Sequence, residues 1–184
     1  MNVYRCIICG DSFIGSVRPS NCPFCGAHEQ YMVKIEKWQD LNEGLELTDV
    51  TRTNVEKALE IELSNAAFYE SAAEKVAIEG EDEARSIFRA LFKVESEHAS
   101  VFKKFLKNAV PEVDIKEVAF DNIKDNFKES LRREEIATKF YQAAHDTASE
   151  TRAKQVFKAL VEVESDHIAL DKEHLGIEEN QPVS

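Results

Sequence analysis

After Cys25 the chain has no cysteine at all; its four thiols are crowded into the first 25 residues. That distribution excludes a disulfide framework for the whole protein and points to a local metal site. Glycine and proline are scarce, 6 and 4 residues in 184, and half of each falls within residues 1–26. The remainder lacks helix breakers and reads as long helices. Basic charge is also short, 23 Lys and Arg against 35 Asp and Glu, for a net charge of -12. No basic surface is available to neutralise phosphates, which excludes nucleic acid and anionic membrane as partners. No apolar run approaches a membrane span, and MNVYRCIICG lacks the charged-then-apolar pattern of a secretion signal, so a cytoplasmic protein is expected.

The composition divides the chain. Residues 1–36 read as a small loop-and-hairpin module, too short to bury an adequate core without a metal. Residues 37–50 form a linker, 51–176 a helical unit and 177–184 a tail. The spacing predicts four helices over 53–78, 82–108, 120–147 and 150–175. Thr51 or Thr53 is expected to cap the first, with Glu56 completing a capping box with Thr53. Gly80 and Pro111 end the first and second helices, and Gly176 the fourth.

One sentence is written twice. ALFKVESEH places Glu95 and His98 three residues apart, and ALVEVESDH does the same for Glu164 and His167. Upstream of each stands a Glu seven residues before a Tyr, Glu62 with Tyr69 and Glu134 with Tyr141. Ungapped alignment from Ala84 and Ala153 also pairs Phe88 with Phe157, Leu91 with Leu160 and Leu106 with Leu175. The helical unit is therefore two similar hairpins, which pack face to face around a pseudo-twofold axis.

These residues belong to apolar stripes. Phe88, Leu91, Glu95, His98, Phe102 and Phe105 follow a 3-4-3-4-3 spacing, and so share one helix face. Val55, Leu59, Glu62, Ala66, Tyr69 and Ala73 do likewise, as do Phe127, Leu131, Glu134 and Tyr141, and Phe157, Leu160, Glu164 and His167. Carboxylates there face the core, where burial without partners costs several kcal/mol each, on the order of the usual penalty for buried charge. Two divalent cations would offset four negative charges. The donor set suits iron or manganese, and zinc could also occupy it. Single Glu-x-x-His pairs arise by chance in an acidic chain; two in register within a repeat do not. Tyr69 and Tyr141 are expected to hydrogen-bond to a ligand carboxylate or solvent near the metals, or else simply to pack. His28, His145 and His174 have no comparable context and read as surface residues.

Cys6-Ile-Ile-Cys9-Gly10 and Cys22-Pro-Phe-Cys25-Gly26 are two knuckle loops, each ending in a Gly that permits a tight turn with backbone amides aimed at sulfur. Four thiolates form a tetrahedral site for a single iron or for zinc.

With YRCIICG and NCPFCGA at one end and two Glu…ExxH hairpins behind them, the chain resembles rubrerythrin. The resemblance implies a mainly α fold: a ferritin-like four-helix bundle preceded by a small rubredoxin-like (zinc-ribbon-type) β/loop domain. This order is the reverse of the commonest arrangement. It makes Glu62 and Glu134 terminal carboxylates, Glu95 and Glu164 bridges, and His98 and His167 end-on ligands of a di-iron site. Many rubrerythrins carry a further ligand Glu three residues after the third-helix carboxylate. Here that position is Ala137, and Glu135 points about 100° away from Glu134 on the helix.

The resemblance implies a peroxidase: an iron pair that gives two electrons to hydrogen peroxide and is re-reduced by the thiolate-bound iron. An external NAD(P)H-linked electron donor protein would feed that iron. A homodimer is expected, one chain's thiolate module docking near its partner's bundle, because the reach within one chain looks long. The competing reading is a ferroxidase, an iron-handling protein that works with oxygen, favoured by the missing seventh carboxylate. A third, a zinc-bearing binding module on a structural bundle, predicts a colourless protein without redox activity.

Overall fold

Four long helices follow one small sheet in the computed structural model, which describes residues 1–79, 81–107, 110 and 115–177. Gly80 and Pro111, expected as helix breakers, and residues 178–184 of the expected tail lie outside the described residues.

The sheet is built from β1 (Asn2–Cys6), β2 (Ser12–Gly15) and β3 (Met32–Lys34), in the order β2-β1-β3 with antiparallel pairing. Tyr4 pairs with Phe13 and Cys6 with Met32. The first thiolate knuckle is the turn between β1 and β2; the second lies between β2 and a 3-10 turn at Glu29–Tyr31. In place of an extensive core this unit has the four cysteines, all buried, with Ile8, Ala27, Tyr31 and Met32 around them. The linker begins at a second 3-10 turn, Ile35–Lys37, and is anchored where the Arg5 guanidinium stacks over Trp38 at 3.5 Å.

The helices are α1 (Asp49–Glu79), α2 (Asp82–Leu106), α3 (Ile123–Thr147) and α4 (Thr151–Leu175). Helix α1 packs along α2 and α3 along α4, two hairpins joined chiefly through α1 against α3. The first helix starts four residues ahead of the expected 53, because Thr48 rather than Thr51 or Thr53 precedes it, with Thr48 Oγ1 3.5 Å from Thr51 N. Thr51 is instead buried and donates to Glu150 Oε2 ahead of α4, while Thr53 Oγ1 donates to Asp49 O. Helix α3 starts at 123, not 120: Asn122 caps it by accepting from Asp125 N, and Asn126 holds Phe120 through both its N–H and C=O. Gly176 ends α4 in the left-handed conformation, with its N–H and that of Ile177 returning to the last carbonyls of the helix. No described helix is long and apolar enough to cross a membrane.

The apolar stripes named above are buried throughout. They form two clusters, one around Phe68, Tyr69, Phe88 and Phe127, the other around Leu59, Phe102, Tyr141 and Phe157. Between them lies a layer of buried carboxylates and imidazoles. The second cluster runs on without a break into the cysteine unit.

That continuity decides how the sheet unit sits. It rests on the bundle of its own chain. Arg152 Nη2 donates to Ile8 O at 2.9 Å, Lys104 Nζ to Cys9 O at 2.6 Å and Gln30 Nε2 to Glu162 Oε2 at 3.0 Å. His28, read from the sequence as a surface residue, bonds Asp166 Oδ2 at 2.8 Å and so belongs to this contact. The long reach expected between the thiolates and the bundle is absent, because the linker folds back along the bundle: Arg152 Nε donates to Asn42 Oδ1. His145 bonds its neighbour Asp146, and His174 is exposed, stacked on Phe127.

Candidate metal centres

The two knuckles are built alike. Cys6 N donates to Asp11 O and Gly10 N returns to Cys6 O; Cys22 N donates to Ala27 O and Gly26 N returns to Cys22 O. Each loop closes through a glycine with positive φ, +90° at Gly10 and +72° at Gly26, a conformation other residues rarely adopt. Ile8 N and Asp11 N point at Cys6 Sγ and Cys9 Sγ, both at 3.4 Å, so amide dipoles meet the sulfurs. Cys6 Sγ lies 3.7 Å from Cys25 Sγ, and Cys9 Sγ 3.8 Å from Cys22 Sγ. A tetrahedron with metal–sulfur bonds of about 2.3 Å has edges of about 3.8 Å. The four thiols are thus spaced to hold one metal ion, and none forms a disulfide.

In the bundle, each helix brings its expected ligands to one place. Two donor groups result, Glu62, Glu95, His98 and Glu164 on one side and Glu95, Glu134, Glu164 and His167 on the other. Glu95 and Glu164 belong to both, the relation required of bridging carboxylates. His98 Nδ1 is 3.5 Å from Glu62 Oε2, 3.6 Å from Glu95 Oε2 and 3.3 Å from Glu164 Oε1. His167 Nδ1 is 2.8 Å from Glu164 Oε2, 3.4 Å from Glu95 Oε1 and 3.9 Å from Glu134 Oε1. Donors about 2.0–2.2 Å from one ion stand roughly 3–3.5 Å apart, and these separations are of that size.

The test of fit is which atoms lack partners. Glu62 Oε2, both oxygens of Glu95 and of Glu164, Glu134 Oε2 and both Nδ1 atoms are buried without a hydrogen bond. Such groups are rare in a folded protein and costly. Here they all converge on the two donor groups, and two cations would satisfy every one. Around them, Tyr141 Oη donates to Glu62 Oε1 and Tyr69 Oη to Glu134 Oε1, each tyrosine reaching across from the opposite hairpin. Each terminal carboxylate is thereby held by one oxygen and presents the other inward.

Electrostatics point the same way. Burial, then the charges of Glu164, Glu62 and Glu134, push Glu95 well above the usual carboxylate range; burial and Glu164 do the same to Glu134. Burial disfavours a charged His98, yet Glu62 and Glu164 hold its ring well above the ordinary imidazole value. Against the effect of burial, His98 and His167 keep Glu164 down at about 2. The side chains by themselves balance excess negative charge with protons, and bound cations would replace those protons. Both tyrosines are pushed well above 10, by burial first and then by the carboxylate each one meets, so they stay phenols.

His98 has a second partner. Its Nε2 lies 2.9 Å from the carbonyl oxygen of Cys25. A carbonyl only accepts, so Nε2 carries the hydrogen, and in the neutral ring Nδ1 is left as a lone pair facing the carboxylates, the tautomer a metal needs. Ala137 is fully buried without a donor atom, and Glu135 is outside both groups, which together contain six residues. Sequence reading missed three participants: the Cys25 carbonyl, Ser130 and Asp171. Ser130 and Asp171 are both fully buried beside Tyr69 and Glu134. A signal for the last two existed, since the repeat places Ala58 and Phe102 at the equivalent positions.

The family model for rubrerythrin matches residues 53–175. Reverse rubrerythrin-1 of Clostridium acetobutylicum is 26% identical to this chain over 166 residues, which cover 82% of this chain and 88% of the relative. The clustered cysteines ahead of the helices fit that reversed order. With two metal-sized donor groups sharing two carboxylates, and a tetrathiolate unit before them, the chain belongs to the rubrerythrin family: it is an iron-binding, di-iron protein of the oxidoreductase kind, with its domains in reverse order.

Proposed function

We propose that the protein reduces hydrogen peroxide to water, H2O2 + 2 H+ + 2 e– giving 2 H2O. When bound, an iron pair would supply the two electrons that cleavage of the O–O bond consumes, and iron held by Cys6, Cys9, Cys22 and Cys25 would supply their singly delivered replacements. An NAD(P)H-linked electron donor protein feeds the thiolate site. On this reading Glu62 and Glu134 would be terminal ligands, Glu95 and Glu164 would bridge, and His98 and His167 would bind end-on.

The observation that carries this reading is the hydrogen bond from His98 to the Cys25 carbonyl. One imidazole faces the carboxylate cluster with Nδ1 and the peptide of a thiolate residue with Nε2. A continuous route of covalent bonds and one hydrogen bond therefore joins the two centres inside one chain, and an enzyme that must be recharged after each peroxide needs such a route. A homodimer is not required to close that circuit, although two copies exchanging modules would make the same contacts between chains. The remaining work falls to the chain's own groups. Tyr69 and Tyr141 orient the terminal carboxylates, and the two apolar clusters keep bulk water from the charged layer.

The ferroxidase reading is favoured by one observation, the buried Ala137 where a seventh carboxylate would stand. It gives no role to the thiolate unit or its link to His98. Glu95→Ala discriminates the site: loss of peroxide-driven turnover with the thiolate spectrum intact is expected, and full activity would sink the assignment.

A further inference from the structure

Beyond the ligands, among the described residues, one line of oxygens leaves the cluster on the Glu134 side. Tyr69 Oη touches Glu134 Oε1; Ser130 Oγ lies 2.9 Å from Tyr69 Oη; Ser130 Oγ lies 2.6 Å from Asp171 Oδ2. Tyr69, Ser130, Glu134 and Asp171 are all at 0% exposure, so water does not intervene. Four oxygens in line have three contacts between them, and each contact requires one hydrogen, because two lone pairs at that distance repel. Ser130 and Tyr69 contribute two. The third hydrogen has to sit on a carboxyl at one of the two ends.

We propose that Asp171 is the proton-holding end of a relay, Asp171 to Ser130 to Tyr69 to Glu134, which delivers protons one at a time to the carboxylate cluster. Asp171 is a positioning and proton-supplying residue here; its hydrogen bond goes to Ser130 rather than to a ligand residue. With the proton on Asp171, all three hydrogens point towards Glu134. In one transfer Asp171 gives its hydrogen to Ser130, Ser130 gives its own to Tyr69, and Tyr69 gives its own to Glu134. Three O–H bonds break and three form. Asp171 ends ionised, Glu134 ends neutral, and the two hydroxyls are unchanged. The proposal rests on the reading of the site as one that reduces an O–O bond, a reaction that consumes protons.

Two further observations support it. Asp171 Oδ1 is buried with no partner, an arrangement that penalises the ionised form, and burial pushes this carboxyl up to about 7. The line is also absent from the other half of the pseudo-symmetric site. Tyr141 donates to Glu62 just as Tyr69 does to Glu134, but the positions equivalent to Ser130 and Asp171 are Ala58 and Phe102, both fully buried, and Phe102 packs on Tyr141. A repeat that keeps every ligand and replaces an Ala and a Phe by a hydrogen-bonded Ser and Asp has built something at one end alone. Asp171 lies four residues before α4 ends at Leu175, so the relay runs from near the end of the bundle inward.

The test uses the iron-loaded protein and two variants, Asp171→Asn, which keeps shape and hydrogen bonding but cannot release a proton, and Ser130→Ala, which cuts the line. Infrared spectroscopy of the reduced protein should detect the carbonyl stretch of a protonated carboxyl, sensitive to D2O, that disappears in Asp171→Asn at unchanged iron content. In single-turnover mixing with peroxide, both variants should oxidise about a hundredfold more slowly, the lower end of what positioned proton transfer contributes. A band that persists in Asp171→Asn, or wild-type oxidation rates in both variants, overturns the relay. Failure of the wild-type protein to react with either peroxide or oxygen would instead refute the reading of function. The infrared band would still decide where the proton sits.

Discussion

His98 Nε2 donates a hydrogen bond to the carbonyl oxygen of Cys25, the contact across the boundary between the thiolate unit and the bundle that starts from a residue of the carboxylate cluster. Close packing beside it keeps that contact in place. A Cβ on Gly26 would stand 2.9 Å from Val163 Cγ1, next to the ligand Glu164, and φ at Gly26 is +72°.

Gly26→Ala is therefore expected to loosen the seat of the thiolate unit. The left-handed backbone costs about 1–2 kcal/mol for a residue with a Cβ, before any clash is counted. Denaturant unfolding should show a loss of that order. Electron passage from the reduced thiolate iron to the oxidised pair, followed by stopped-flow absorbance, should slow at least tenfold with the thiolate spectrum unchanged. Unaltered transfer in a folded variant would show that the His98 contact is not the route.

Removing the metals should make stability depend on pH. Glu95 and Glu134 have native values raised above their unfolded ones, so the metal-free native state binds more protons than the unfolded chain. Stability then falls as pH rises from the unfolded carboxylate range, near 4.5, upward. The iron-loaded protein, its carboxylates neutralised by cations, should be far less sensitive. Thermal melts of both forms between pH 5 and 8 check this; parallel curves would contradict the assignment of these groups as metal ligands.

Asp171 adds a separate effect with the same sign. Burial raises its carboxyl to about 7 in the native state, against an ordinary value of 3.8. Wild-type stability should fall between those values by roughly 1.4 kcal/mol per pH unit at most. Asp171→Asn lacks this loss, so the variant should gain on the wild type by up to about 3 kcal/mol from pH 5 to pH 7. Equal slopes in the two proteins would mean that Asp171 is ionised in the native state.

The two tyrosines, equivalent in sequence, should differ in effect. Tyr69→Phe breaks the line from Asp171, whereas Tyr141→Phe removes only the hydroxyl that holds Glu62. Single-turnover oxidation should fall more in the first variant, by about tenfold relative to the second. Equal rates would return both tyrosines to the same supporting role.

What the sequence made legible was what is local or repeated. Each Glu-x-x-His pair lies within one helical turn, and each Cys-x-x-Cys within one loop, so spacing alone assigns a common face or a common turn. The repeat then brought the two halves together. The start of α1 was misplaced because Thr51 and Thr53 are both good capping residues, and only the fold shows Thr51 committed to Glu150, ninety-nine positions away. The docking of the thiolate unit was equally illegible: His98 meets a main-chain carbonyl, which carries no residue code, across seventy-three positions. Asp171 sat in plain view four residues after His167, on the same stripe. A charged residue at a core position, where the repeat has Phe102, was the signal.

Two iron centres wired within one chain should answer peroxide together. The most direct measurement is anaerobic. The purified protein is fully reduced, mixed with one equivalent of hydrogen peroxide, and the visible spectrum of the thiolate centre is followed in time, with oxygen as the comparison. Rapid appearance of the ferric-thiolate colour, faster with peroxide than with oxygen, is the predicted result. A colourless thiolate site throughout, or oxidation that is faster with oxygen, would rule out this wiring and favour zinc in that site or a ferroxidase.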